Sequence, residues 1–123
     1  MSKRYSDEVL DMAKTLAAKK AEDVVVLDVN HLTVLADYFV IASGRSTTHI
    51  KSLCDELEEE LAKKGIFAKR KEGYNEARWI VLDFLDVLVH IFHRDEREFY
   101  NIERLWVDGD NILHYELEKP NSD

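Results

Sequence analysis

The sequence predicts an α/β domain built on a single mixed β-sheet covered by helices. Apolar residues recur at helical spacing in two long segments, and these alternate along the chain with β-branched runs. Helices placed between strands cover a sheet rather than one another. The chain has 123 residues, 46% of them hydrophobic and only one a proline. That is enough for one domain with a core of its own, and it excludes global disorder.

The first helix begins near Ser6, an N-cap residue ahead of the acidic Asp7 and Glu8. Val9, Leu10, Ala13, Leu16 and Ala17 then form its apolar stripe. Val24-Val25-Val26-Leu27-Asp28-Val29 reads as a strand, and Tyr38-Phe39-Val40-Ile41-Ala42-Ser43 as a second one ending at Gly44. Ser46 or Thr47 caps the next helix, whose inner face is Ile50, Leu53, Cys54, Leu57 and Leu61. Lys63 and Lys64 complement its dipole, and Gly65 supplies the left-handed stop. A short strand is expected around Phe67-Ala68-Lys69, then two clearer ones over residues 78–84 and 86–93. Asp95 is expected to cap a last helix running through Trp106. Residues 110–123 form an acidic tail, with room for a short strand over 112–117 before disorder.

The hairpin is the most informative segment. With Phe84-Leu85 as a two-residue turn, Asp83 pairs with Asp86, Val81 with Leu88 and Trp79 with His90. Alternation then puts Ile80, Leu82, Val87, Val89 and Ile91 on one face, wholly aliphatic. The opposite face carries Trp79, Val81, Asp83, Leu88, His90 and Phe92. Two readings of it stand side by side: a face covered by another helix of this chain, or an exposed recognition surface anchored by Trp79.

Catalytic constellations are weak by comparison. His90 and His93 are three apart on a strand, point to opposite faces and cannot share a metal ion. Asp83 and Asp86 flank a turn, where carboxylates ordinarily accept backbone hydrogen bonds. Ser43-Gly44-Arg45-Ser46-Thr47-Thr48 lies between a strand and a helix, yet lacks the glycine spacing and lysine of nucleotide loops. Cys54, the only cysteine, reads as a small buried side chain. It excludes an internal disulfide framework and fits a reducing cytoplasm. No apolar run reaches the roughly 18 residues of a membrane span, and Met1-Ser2-Lys3-Arg4 leads into Ser6, Asp7 and Glu8 rather than a secretory signal. The formal net charge of −8 argues against a protein that chiefly grips phosphate. Lys63, Lys64, Lys69, Arg70 and Lys71 make the one basic cluster.

Three segments together resemble the ribosomal silencing factor, or Iojap-like, family. The first is Leu27-Asp28-Val29 with Ala36-Asp37-Tyr38-Phe39-Val40-Ile41-Ala42-Ser43-Gly44, followed by Ser46, His49 and Ile50. The second is Glu72-Gly73 with Trp79-Ile80-Val81-Leu82-Asp83, Asp86-Val87 and Val89-His90-Ile91-Phe92. The third runs Arg97-Glu98-Phe99-Tyr100-Asn101-Ile102-Glu103-Arg104-Leu105-Trp106. The resemblance runs from about Asp7 to Gly109, within one domain over residues 1–109. Where the family usually has a turn glycine this chain has Leu85, which points to a turn needing no positive φ.

The resemblance implies a nucleotidyltransferase-like topology without that superfamily's catalytic motif. It also implies a translational repressor, not an enzyme, that binds large-subunit ribosomal protein fourteen and sterically blocks subunit joining. A role beside large-subunit assembly goes with it. The expected contact residues are Trp79, Val81, Leu88 and Phe92 at the centre, with Glu72, Asp83, His90 and Tyr100 around them. The basic cluster is the expected contact with ribosomal RNA, and the same face is expected to hold a homodimer when no ribosome is present. No cofactor, metal or membrane enters this reading. The rival enzyme reading binds or transfers a nucleotide at the Ser43 to Thr47 loop, and a rival adaptor uses the same face on another basic protein.

Overall fold

A computed structural model describes residues 4–117. Helix α1 (Asp7–Ala18) starts at Ser6, whose side chain accepts from the Val9 amide. Strands β1 (Glu22–Asp28) and β2 (Tyr38–Gly44) follow as an antiparallel pair. Helix α2 (Thr47–Ala62) is capped by the Ser46 hydroxyl, and its buried residues are the five the helical spacing selects, Ile50, Leu53, Cys54, Leu57 and Leu61. Then come β3 (Arg70–Glu72), β4 (Trp79–Asp83), β5 (Val87–His93), α3 (Arg94–Tyr100), α4 (Ile102–Trp106) and β6 (Ile112–His114).

The six strands form one mixed sheet in the order β3-β4-β5-β2-β1-β6. Only the central β2–β5 contact is parallel, because α2 carries the chain across the sheet between β2 and the β3–β4–β5 meander. Helices α1 and α2 pack on one face. There Val24, Val26, Val40, Ala42, Ile80, Leu82, Val87, Val89 and Ile91 meet Val9, Met12, Leu16 and the inner face of α2. Each such aliphatic side chain contributes about 1.5–3 kcal/mol on full burial, so this layer holds the domain together.

Several expectations need correction. The short third strand lies at 70–72 rather than around 67–69: the Lys69 amide only begins the pairing, bonding the Asp83 carbonyl, and Phe67 stays 71% exposed. The last helix is capped by His93, not Asp95, since the imidazole accepts from the Asp95 amide. It is also broken, because Asn101 takes a left-handed conformation (φ 45°) between α3 and α4. Finally, Asp83 pairs with Leu88, Val81 with His90 and Trp79 with Phe92, a slip of two residues from the expected hairpin register. Phe84 tucks into the core instead of forming the turn tip, and its amide bonds the Val87 carbonyl. A slip of two leaves every side chain on its expected face; a slip of one would have exchanged the faces.

The acidic segment after residue 109 contributes β6, which pairs with β1. The disorder expected at the chain end falls mostly on residues 118–123, outside the described residues.

Leu85 does adopt a positive φ, 76°, contrary to the expected relaxed turn. The Asp86 amide bonds the Phe84 carbonyl across it, and the Asp83 carboxylate accepts from the Leu85 amide. A branched side chain in that region costs about 1–2 kcal/mol. Since Leu85 is 59% exposed, its side chain recovers little of this by packing. Leu85→Gly is therefore expected to stabilise the domain by about 0.5–1 kcal/mol after the glycine's greater unfolded-state entropy is charged against it. Urea unfolding with an unchanged m-value would show the gain; a loss of stability would contradict this account of the turn.

Candidate functional site

On the sheet face away from α1 and α2, the pairing lines side chains up in three rows. One runs Trp79, Phe92, Ser43. The next runs Glu72, Val81, His90, Ile41, Val25, and the third Arg70, Asp83, Leu88, Phe39, Leu27, Ile112. Helix α4 covers the part over β1 and β2: Ile102 and Trp106 pack there, and Trp106 meets Phe39 edge-on at 5.1 Å. Over β3 and β4 no helix among the described residues lies across the face. Trp79, Val81, Asp83 and Leu88 are half-exposed there, and Glu72 is exposed. Covered and open halves thus divide one face: a helix of this chain covers one half, and the other is left open among the described residues.

Trp79 is fixed from three sides. Its ring stacks on Phe92 at 4.7 Å and lies 5.0 Å from Tyr100. Its indole N–H donates to His90 Nδ1 at 3.1 Å. Behind it, Gly73 (φ 81°) approaches so closely that a Cβ there would sit 2.1 Å from the Trp79 carbonyl oxygen. No other residue fits that crossing, so the loop before β4 presses the anchor strand into place.

The indole is a donor only, so Nδ1 must be the unprotonated nitrogen and the proton rests on Nε2. Burial pushes the His90 pKa down to about 4, which keeps the ring neutral. Nε2 is buried without a hydrogen-bond partner. The ring is packed among Phe39 (5.3 Å, edge-on), Trp79 and Phe92.

Helix α3 is tied to the sheet by ion pairs. Arg78 bonds Glu96, and Arg94 bonds Glu22 at 2.8 Å. Arg97 is buried, bonded by a two-pronged contact to Glu103 (Nε–Oε1 3.0 Å, Nη2–Oε2 2.8 Å) and through Nη1 to Ser43 Oγ at 3.0 Å. Tyr100, 47% exposed, ends α3 at the border of the open half.

The family model described as "Ribosomal silencing factor during starvation" matches residues 2–123. The chain belongs to the ribosomal silencing factor family. It is 41% identical over 108 residues to the protein named Ribosomal silencing factor RsfS of Halalkalibacterium halodurans, covering 87% of this chain and 92% of that one. The protein of the same name from Bacillus subtilis is 43% identical over 91 residues, 74% of this chain and 77% of its own. A crystal structure from Bacillus halodurans superposes with a TM-score of 0.73 at 40% identity, over 84% of this chain and 99% of the other.

For this member of the ribosomal silencing factor family the eight expected contact residues do share one face, with Tyr100 reaching it from α3. They are not equally available. His90 is 8% exposed and Phe92 fully buried, so these two lie beneath the surface that Trp79, Val81 and Leu88 present. Phe92 therefore supports Trp79 rather than standing at a contact centre. The residues of the enzyme reading are engaged elsewhere: Ser43 is bonded by Arg97, the Ser46 hydroxyl accepts from the His49 amide, and Asp83 serves the turn. Asp83 and Asp86 are not brought together as a catalytic pair; the Asp86 carbonyl accepts from the Asp37 and Tyr38 amides. The Cys54 thiol, buried beside Glu58, is pushed up to about 12 and is no nucleophile. Asp55 and Glu58 bring carboxylates close to it, yet they are occupied by Tyr74 and Lys71 respectively.

Sequence reasoning missed Arg97, Glu103 and Asn111 as a structural set. Asn111 is fully buried, accepting from the Asp108 amide and donating to the Asp28 and Trp106 carbonyls. Arg97 and Glu103 stand six apart, a spacing that puts them on one side of no regular helix. Only the break at Asn101 turns them toward each other.

Because the His90 pKa is lowered, the unfolded chain binds this proton first as pH falls below 6.5. Stability should drop between pH 6.5 and about 4, by about 3 kcal/mol in all, and this group adds nothing above that range. His90→Gln keeps an acceptor for the indole and cannot titrate. Denaturant unfolding at pH 7 and pH 4 should show the wild type losing about that much more than the variant. Equal losses would mean that His90 is not held neutral.

Proposed function

We propose that this protein represses translation without chemistry, by binding large-subunit ribosomal protein fourteen and occupying space that the small subunit needs. What supports the reading most directly is the open half of the sheet. A fixed tryptophan and two aliphatic side chains stand there, half-buried, with Glu72 and Asp83 beside the aliphatic pair on the same face. Aromatic centres with polar rims are what protein interfaces favour. The tryptophan is already held in one orientation by Phe92, His90 and Tyr100, so little freedom remains to be lost on docking. The regulatory names of the relatives agree with a non-enzymatic role.

Charge supports the choice of a basic protein over nucleic acid. At −8 the chain is repelled by phosphate in general, while Glu72 and Asp83 attract cationic side chains at the contact itself. Within the basic cluster, Lys63 pairs with Glu60, Lys64 with Asp11 and Lys71 with Glu58. Lys69 and Arg70 make no ion pair among the described residues, and a peripheral contact with ribosomal RNA falls to them. In the absence of the ribosome the open apolar half supports a homodimer. The work of such a protein is placed in the cytoplasm, beside the large subunit and its assembly.

Co-sedimentation with separated ribosomal subunits tests the partner class: migration with the large subunit alone is expected, and equal association with both would refute it. Trp79→Ala, shown to be folded by circular dichroism, should weaken that association at least about tenfold, as loss of a central interface aromatic does. Undiminished association would remove this face from the contact. Calorimetry with nucleotides and magnesium should show no saturable binding.

A further inference from the structure

Arg97 is the one charged residue buried within the layer of α3 and α4. It sits on α3 and spends its guanidinium on three other elements. Glu103 of α4 takes both prongs, Ser43 of β2 takes Nη1, and the Glu22 carbonyl of β1 lies 3.3 Å from the same nitrogen. Burying a charge in this way is a poor means of gaining stability, since well-packed apolar residues of the same size commonly do as well or better. What a bidentate arginine adds is direction, because its planar fork accepts a carboxylate in one geometry.

That direction is applied across a break. Asn101 takes the left-handed conformation with no side-chain cap for α4, and α4 itself has five residues, too few to be stable alone. None of those five residues is fully buried. Ile102 and Trp106 seat α4 on the sheet, and the ion pair that spans Asn101 ties it back to α3. Tyr100 immediately precedes the break, and its ring lies 5.0 Å from Trp79.

We propose that Arg97, held in one orientation by Glu103, is a positioning device for partner binding: by tying the end of α3 to β1, β2 and α4 it holds Tyr100 against Trp79 and completes the contact surface. Arg97 then acts on affinity through Tyr100 and touches no partner itself. The inference rests on the docking face proposed above.

The test replaces the pair by apolar residues of similar size, Arg97→Met with Glu103→Leu, and reads both thermal unfolding and affinity for isolated large ribosomal subunits. Unfolding at or above the wild-type temperature is expected, together with about tenfold weaker binding. Tyr100→Ala should cost about tenfold in the wild type and almost nothing in the paired variant, because the tyrosine is already misplaced there. Unchanged binding by the folded paired variant would overturn the proposal. So would an equal cost of Tyr100→Ala in both backgrounds. Should the paired variant not fold, Glu103→Gln, which keeps size and loses the charge, carries the same cycle with the same two refuting outcomes. Failure of the wild type to bind large subunits removes the docking face and the inference with it; wild-type binding with an additive cycle removes the inference alone.

Discussion

A β-strand cannot choose its two faces separately. Each residue placed toward α1 and α2 forces its neighbour to the other side, and no other constraint in this molecule reaches so far. Because β4 and β5 devote Ile80, Leu82, Val87, Val89 and Ile91 to the helical layer, Trp79, Val81, Leu88, His90 and Phe92 are committed together to the opposite side. The described residues then cover only half of that side. The last helix, α4, stops over β1 and β2, and the aromatic end of β4 is left at the border between dry core and water. The candidate site is what remains when a five-residue helix meets a six-stranded sheet.

Most of this could be read from the chain because period and burial agree. The stripe of α2 and the alternation of β4 each have one explanation, and the structure places those side chains where the periods put them. The hairpin register was not legible, since a slip of two residues costs nothing in side-chain pattern; the decision lay with Phe84, which found room in the core. His93 as a cap escaped notice because imidazole is an uncommon acceptor at a helix start, whereas Asp95 advertises itself. The buried depth of His90 and Phe92 was likewise invisible. It depends on where α4 comes to rest, and therefore on a backbone break at Asn101 that no periodicity announces.

Charge plays two separate roles. The exposed pairs of Lys63, Lys64 and Lys71 lie in water, where screening leaves them little weight in stability. They mainly neutralise a cluster that looks uniformly basic in the sequence. Arg97 is different: enclosed between strand and helix, it converts an electrostatic contact into an angle between two helices.

The sheet also has two rims, and both are short. β3 and β6, the outer strands, have three residues each, and β3 consists wholly of charged side chains, Arg70, Lys71 and Glu72. Strands so brief, one of them wholly charged, offer few main-chain groups for another chain to zip onto. Association by strand addition, the common route to fibres and runaway polymers, is thereby disfavoured at both rims. A binding face that cannot propagate gives complexes of fixed size.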